Sequence, residues 1–171
     1  MRVELHARRN GFANSSTHSR PERMLQNGRA VDNAFHLFHR LYYRCTQEDV
    51  SEDRLLAVRI PYKDTSVNWS KYSKPWDVVF DHPEQGIAQF LVCGLPKELP
   101  TQLPPGPQRN PPKPHSFFPG HVPLPENYSH CEVWTFKEGT RVTNPKLPET
   151  VKKEFRQIMS DRSVLLYSPT I

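Results

Sequence analysis

The chain has 171 residues, which suits one domain with extensions, and its hydrophobic fraction of 36% lies below the ~45–50% of typical globular domains. Its net charge of +5 is concentrated in residues 1–30, where six arginines face two glutamates, so the nearly neutral remainder excludes a basic nucleic-acid-binding body. Three cysteines without CxxC spacing exclude a disulfide framework, and no apolar run approaches the ~18 residues of a membrane span. These features predict a cytoplasmic protein with no membrane partner.

The first 30 residues differ in composition from the rest of the chain. Arginine, asparagine, serine and glycine dominate them, without a sustained helical or strand period. Such a segment is typical of a disordered tail, and it also suits an arm that orders on a phosphate-bearing partner such as a nucleic acid. We therefore predict a basic N-terminal extension at 1–30 and one domain at 31–171.

The domain is expected to begin with two strands and a short helix. Alternating apolar and aromatic residues over 33–45 favour a strand, and 54–61 is typical of a second one. Residues 62–73 are polar with interspersed aromatics, which predicts a loop. Pro75 then suits the first turn of a short helix. The apolar face of that helix is predicted to comprise Trp76, Val79 and Phe80.

The middle of the chain combines a strand with a proline-rich segment. Residues 86–93 are apolar on both faces of a strand, which predicts a central position in a sheet. Residues 96–125 hold 11 of the 18 prolines and lack the backbone donors that a helix or sheet requires. We predict a solvated polyproline loop inserted between two strands, with docking to an aromatic groove as the alternative.

The last part of the chain contains its clearest helix. Residues 132–136 predict a strand, 137–140 a turn, and 163–167 a final strand. A helix opens at Glu149, and its core-facing residues recur at helical spacing in Val151, Phe155, Ile158 and Met159. The order of elements predicts an α+β fold, in which a single compact domain has a mixed or mainly antiparallel sheet and one clear helix in its C-terminal half.

The stretch 121–136 concentrates reactive side chains. Strand alternation places Cys131 and Val133 on the inner face and His130 and Glu132 on the outer face. A histidine and a carboxylate on one strand face can share a cleft, where the carboxylate orients the imidazole or acts as general base. We therefore predict both as catalytic, with packing and capping of the strand as the alternative. No histidine or cysteine spacing matches a zinc site, so neither a metal nor a cofactor is expected.

Two earlier segments supply candidate partners for this pair. The hydroxyl of Ser66 is assigned to catalysis. Arg40 and Arg44 alternate on one strand face and suit a phosphate or carboxylate. The predicted substrate-binding residues are Arg40, Arg44, Asn68 and Tyr72.

The sequence supports two functions of different kinds. In the first, a cytosolic accessory subunit docks on a larger protein or nucleoprotein through its basic tail, its Pro-rich loop and the exposed aromatics Trp69, Tyr72 and Trp76. In the second, a small transferase or hydrolase acts on a phosphate-bearing or nucleotide-derived substrate at His130 and Glu132. We favour the first, because the candidate catalytic residues form no established motif.

Overall fold

The computed structural model describes residues 25–26, 29–30, 36–102, 106–107, 112–143 and 146–170. In chain order its helices and strands are β1 (Leu25–Gln26), β2 (Arg29–Ala30), β3 (Arg40–Cys45), β4 (Val50–Ser51), β5 (Arg54–Leu55), β6 (Thr65–Trp69), α1 (Pro75–Val78), β7 (Gly86–Leu91), β8 (His115–His121), β9 (His130–Lys137), β10 (Thr140–Val142), α2 (Glu149–Arg162) and β11 (Val164–Tyr167).

Seven strands form one antiparallel sheet with the order β10-β9-β6-β3-β7-β11, to which β8 is added through β9. Strand β9 organises this arrangement, because it pairs with β8, β6 and β10. The other four strands form the separate hairpins β1–β2 and β4–β5. The antiparallel sheet and the 14-residue α2 confirm the predicted α+β fold.

One face of the sheet is covered by α2. This helix places Val151, Phe155 and Met159 at four-residue intervals, and all three are buried. Phe155 stacks on Phe117 of β8 with ring centroids 4.2 Å apart. The sheet adds buried apolar residues that include Leu41, Val67, Trp69, Phe90, Cys131 and Val133. Apolar burial on this face supplies the main driving force for folding.

The opposite face is polar over much of its area. Helix α1 covers one part, where Val78 packs with Tyr42 and Ile87. Trp76 and Phe80 lie in solvent with 56% and 83% of their surface exposed, so the predicted apolar face of this helix is wrong. The helix ends at Val78 after four residues, and Phe80 lies beyond it.

The loop predicted over 62–73 is wrong at residues 65–69, which are a strand. They form β6, an interior strand between β9 and β3. Thr65, Val67 and Trp69 are buried beneath α2, whereas Ser66 points away from the core. The prediction of an exposed Trp69 is wrong, because this side chain is 0% exposed. Tyr72 is half-buried.

The two strands predicted near the start of the domain are shorter than expected. The first begins at Arg40, because 36–39 form a turn closed by a hydrogen bond from the His39 N–H to the His36 carbonyl. The second is only Arg54–Leu55, and a 3₁₀ turn follows at Ala57–Arg59. The strand predicted at 86–93 is confirmed over Gly86–Leu91 as β7, which lies between β3 and β11, and a 3₁₀ turn follows at Val92–Gly94.

The Pro-rich segment 96–125 is not one continuous loop, because its later part forms β8. The N–H groups of His115 and Phe117 donate outward to the carbonyls of Leu99 and Pro96. Pro119 occupies the next outward-facing position of the strand, where a missing N–H costs no ladder hydrogen bond. Residues 103–105 and 108–111 of this segment lie outside the described ranges.

The turn between β9 and β10 matches its prediction. Glu138 and Gly139 connect the paired residues Lys137 and Thr140. Both connecting residues have positive φ, 50° and 78°, as the tight turns of two-residue hairpins require.

The predicted extension at 1–30 lies largely outside the described residues, and its boundary with the domain stays a prediction. Within the described ranges, no helix is long and apolar enough to cross a membrane.

Candidate active site

A cleft of about 660 Å³ opens on the polar face of the sheet. Its floor comes from three neighbouring strands and contains Arg44, Ser66, Asn68 and His130. One wall is formed around α1 by residues between 73 and 81, and the other by residues of 124–129, the loop that precedes β9. A concave polar site of this volume is suited to a small-molecule substrate.

Ser66 and His130 form a hydrogen-bonded pair in this floor. The Ser66 hydroxyl lies 3.0 Å from His130 Nε2, and His130 Nδ1 lies 2.8 Å from the backbone carbonyl of Val122. A carbonyl only accepts, so Nδ1 carries the proton that it shares with Val122. In the neutral ring Nε2 then accepts, and the serine hydroxyl donates to it. The arrangement is that of a nucleophile, a base and a group that orients the base.

The pairing of β6 with β9 brings the two side chains together. Asn68 is the cross-strand partner of His130, and Ser66 lies two residues before Asn68 on the same strand face. The backbone holds His130 further, since its carbonyl accepts from the Val122 N–H at 3.0 Å and its N–H donates to the Asn127 carbonyl at 3.2 Å. Main-chain contacts therefore fix the base from both sides.

A second network anchors the loop wall to the floor. Asn68 Oδ1 accepts a hydrogen bond from Asn127 Nδ2 at 2.8 Å and lies 2.9 Å from the Ser129 hydroxyl. That hydroxyl also lies 2.8 Å from Asn127 Oδ1. Asn127 and Ser129 thus join the turn before β9 to the strand that carries Ser66.

Aromatic side chains close one end of the cleft. Tyr72 and Tyr128 meet edge to face at 4.9 Å, and Tyr72 stacks on His121 at 5.4 Å. His121 Nε2 also lies 2.6 Å from the Tyr128 carbonyl. Burial lowers the pKa of His121, and the positive charge of Lys71 lowers it further. His121 itself is buried behind these tyrosines and does not line the cleft, so the lowered pKa favours a neutral imidazole there.

The walls of the cleft are acidic. Asp77 and Asp81 lie on the α1 side, and Glu126 lies on the loop side. Arg44 in the floor is the single lysine or arginine among the described lining residues. Asp77 is held in place by the Lys74 N–H, which donates to its carboxylate at 2.7 Å. With histidine neutral, these groups give the cleft a net charge of −2.

Five of the seven predicted site residues line this cleft, and their roles stay predictions: Arg44, Ser66, Asn68, Tyr72 and His130.

Glu132 and Arg40 do not line it. The carboxylate of Glu132 accepts from Trp134 Nε1 at 2.9 Å and lies 4.0 Å from Arg141. The expectation that Glu132 orients His130 is therefore wrong, because the carbonyl of Val122 occupies that position.

Cys131 does not provide a second nucleophile for the cleft. Cys131 is fully buried, as strand alternation predicts, and burial raises the pKa of its thiol. A thiol that resists ionisation is a poor nucleophile. Within the described ranges, no three His, Cys, Asp or Glu side chains form a metal-ligating group.

Sequence reasoning missed several parts of this site. The acidic residues Asp77, Asp81 and Glu126 lie on separate segments that only the fold brings to one cleft. Val122 contributes through a backbone carbonyl, a group that every residue carries and no sequence pattern distinguishes. Asn127 and Ser129 are residue types that are common in turns, so their contacts with Asn68 could not be distinguished from the sequence.

Compared with protein-family models, with curated proteins and with solved structures, the chain has no match.

Proposed function

We propose that the protein is a small hydrolase that cleaves esters with Ser66 as nucleophile and His130 as general base. The observation that carries this proposal is the 3.0 Å contact between the serine hydroxyl and a ring nitrogen whose partner nitrogen is held by the Val122 carbonyl. A serine hydroxyl is a weak nucleophile until an adjacent base accepts its proton. Both groups line a cleft that is open to substrate.

The proposed reaction has two steps. Ser66 Oγ attacks the ester carbonyl carbon while its proton passes to His130 Nε2, and the same proton then leaves with the departing alcohol as the carbon–oxygen bond breaks. A water molecule next attacks the acyl carbon and gives a proton to His130 Nε2. The bond between the acyl carbon and Ser66 Oγ then breaks, the proton returns to Oγ, and the carboxylic acid leaves. Val122 keeps the imidazole in the required tautomer and orientation throughout.

The charges of the cleft favour a neutral or cationic ester. The expectation of a phosphate-bearing substrate depended on two arginines, and Arg44 alone lines the cleft. The three carboxylates on its walls repel a negatively charged substrate. Arg44 is assigned to a carbonyl oxygen of the substrate, to which its planar group of donors can donate hydrogen bonds.

Turnover of p-nitrophenyl acetate and labelling by an alkyl fluorophosphonate test the proposal. We expect Ser66→Ala to abolish labelling, which mass spectrometry detects, and to lower kcat by at least about 10³-fold. His130→Gln retains a donor for Val122 without a basic nitrogen and should lower kcat comparably. Ser51→Ala, a change at an exposed serine outside the cleft, is the control. Turnover that is equal in the wild type and Ser66→Ala would contradict the proposal.

The second candidate is the cytosolic accessory subunit that docks on a larger protein or nucleoprotein. It is favoured by the exposure of Trp76 and Phe80, because exposed aromatic side chains are common anchors of protein interfaces. The basic tail remains the proposed contact for nucleic acid, and the Pro-rich segment for protein.

A pull-down from cell lysate, read by mass spectrometry, tests this docking. We expect a partner that the wild type retains and that the double variant Trp76→Ala/Phe80→Ala loses. Equal recovery of the partner by the wild type and the double variant would show that these side chains are not part of the interface.

A further inference from the structure

Asn68 is a buried amide in the floor of the cleft. It lines the cleft although its exposed fraction is only 8%. Its Oδ1 atom is held on the loop side by Asn127 Nδ2 and lies beside the Ser129 hydroxyl. Among the described residues, none accepts a hydrogen bond from the amide nitrogen, Nδ2. Nδ2 is therefore the part of this amide that a ligand or water in the cleft can accept from.

This donor lies near enough to Ser66 to act on a substrate that the serine attacks. The two residues lie on the same face of β6, about 6.8 Å apart along the strand. His130 is the cross-strand partner of Asn68, so nucleophile, base and donor border the same region. When Ser66 Oγ attacks a carbonyl carbon, negative charge develops on the carbonyl oxygen. A rigid N–H donor about 3 Å from that oxygen stabilises the transition state.

We propose that Asn68 Nδ2 is the hydrogen-bond donor that stabilises the oxyanion formed when Ser66 attacks the ester. This inference rests on the proposed function and adds a catalytic residue to it. Nδ2–H donates to the oxygen as the Oγ–carbon bond forms, and the interaction weakens when the alcohol departs and the carbonyl is restored. Asn127 and Ser129 act as positioning residues, because they hold Oδ1 and so direct Nδ2.

Asn68→Asp tests this role with little change of shape. One carboxylate oxygen can still accept from Asn127 and Ser129, while the other replaces the N–H and cannot donate to an oxyanion. We expect kcat for p-nitrophenyl acetate to fall about 100- to 1000-fold. KM should change far less, because the lost bond forms mainly in the transition state. Values are compared at the plateau of each pH profile, since the added charge alters the pH dependence.

Ser129→Ala is the matched control, because it loosens the anchor of Asn68 but leaves Nδ2 in place. Its kcat should fall by less than about tenfold, the effect of one ordinary hydrogen bond. Thermal unfolding checks that both variants fold.

Three outcomes would overturn the inference. An unchanged kcat in Asn68→Asp, or an equal loss of kcat in both variants, would show that Asn68 does not stabilise the oxyanion. Neither result would contradict the proposed hydrolase activity. Absence of any Ser66-dependent turnover in the wild type overturns the proposed function together with this inference.

Discussion

The two faces of the sheet are built from the same strands but are covered differently. On β6, Thr65, Val67 and Trp69 are buried beneath α2, whereas Ser66 and Asn68 form the floor of the cleft. Apolar packing on one face stabilises the strands, so the other face can carry polar side chains that contribute little to folding. Residues that stabilise the fold thus alternate along one strand with residues that are candidates for catalysis.

The largest expected effect on stability lies on the face beneath α2. Phe155→Ala removes a ring that is 1% exposed and stacked on Phe117, and it should lower the free energy of unfolding by about 3–5 kcal/mol. Urea denaturation followed by circular dichroism measures the change. The matched control is Phe80→Ala on the other side of the sheet, where the ring is 83% exposed and the expected change is within about 0.5 kcal/mol. Similar losses in both variants would refute the contrast between the faces.

An intermediate effect is expected where the polar side of the sheet becomes tightly packed. A Cβ atom at Gly120 would lie 2.3 Å from the ring of Trp134, which is buried and lies under Arg141. Gly120→Ala should therefore destabilise the protein by about 1–3 kcal/mol, the usual cost of overpacking. Gly94→Ala is the control, because a Cβ atom there would lie 3.8 Å from its nearest neighbour, the flexible side chain of Arg162. Equal melting temperatures for the two variants would show that the Trp134 ring relocates without cost.

The smallest effect is expected from pH. Burial lowers the pKa of both His39 and His121 below the ordinary value of 6.5, so the unfolded chain takes up protons first as the pH falls. The unfolded state is then favoured, and stability should decline as the pH drops from 7.5 through 6.5 to 5.5. Thermal unfolding at these pH values measures the decline. His121→Phe, which cannot bind a proton, should show a shallower dependence, and an identical slope would exclude His121 as a contributor.

The helix and the alternation of β9 could be predicted from local pattern. The spacing of Val151, Phe155 and Met159 defines a helical face by itself, and all three are buried. The alternation that placed Cys131 inward and His130 outward follows from the two-residue period of a strand. Strand β6 was missed because its outward residues are polar and its polar neighbours favour a loop.

The sequence by itself determined which side chains are available for chemistry, and Ser66, Asn68 and His130 were all named from it. Tertiary structure decided which of them meet, because Ser66 and His130 are 64 residues apart and touch only through the pairing of β6 with β9. It also excluded Glu132 as the partner of His130 and gave that position to the Val122 carbonyl. Local patterns report the face that a residue occupies. The neighbour that it meets depends on strand order and register, which are set by packing of the whole sheet.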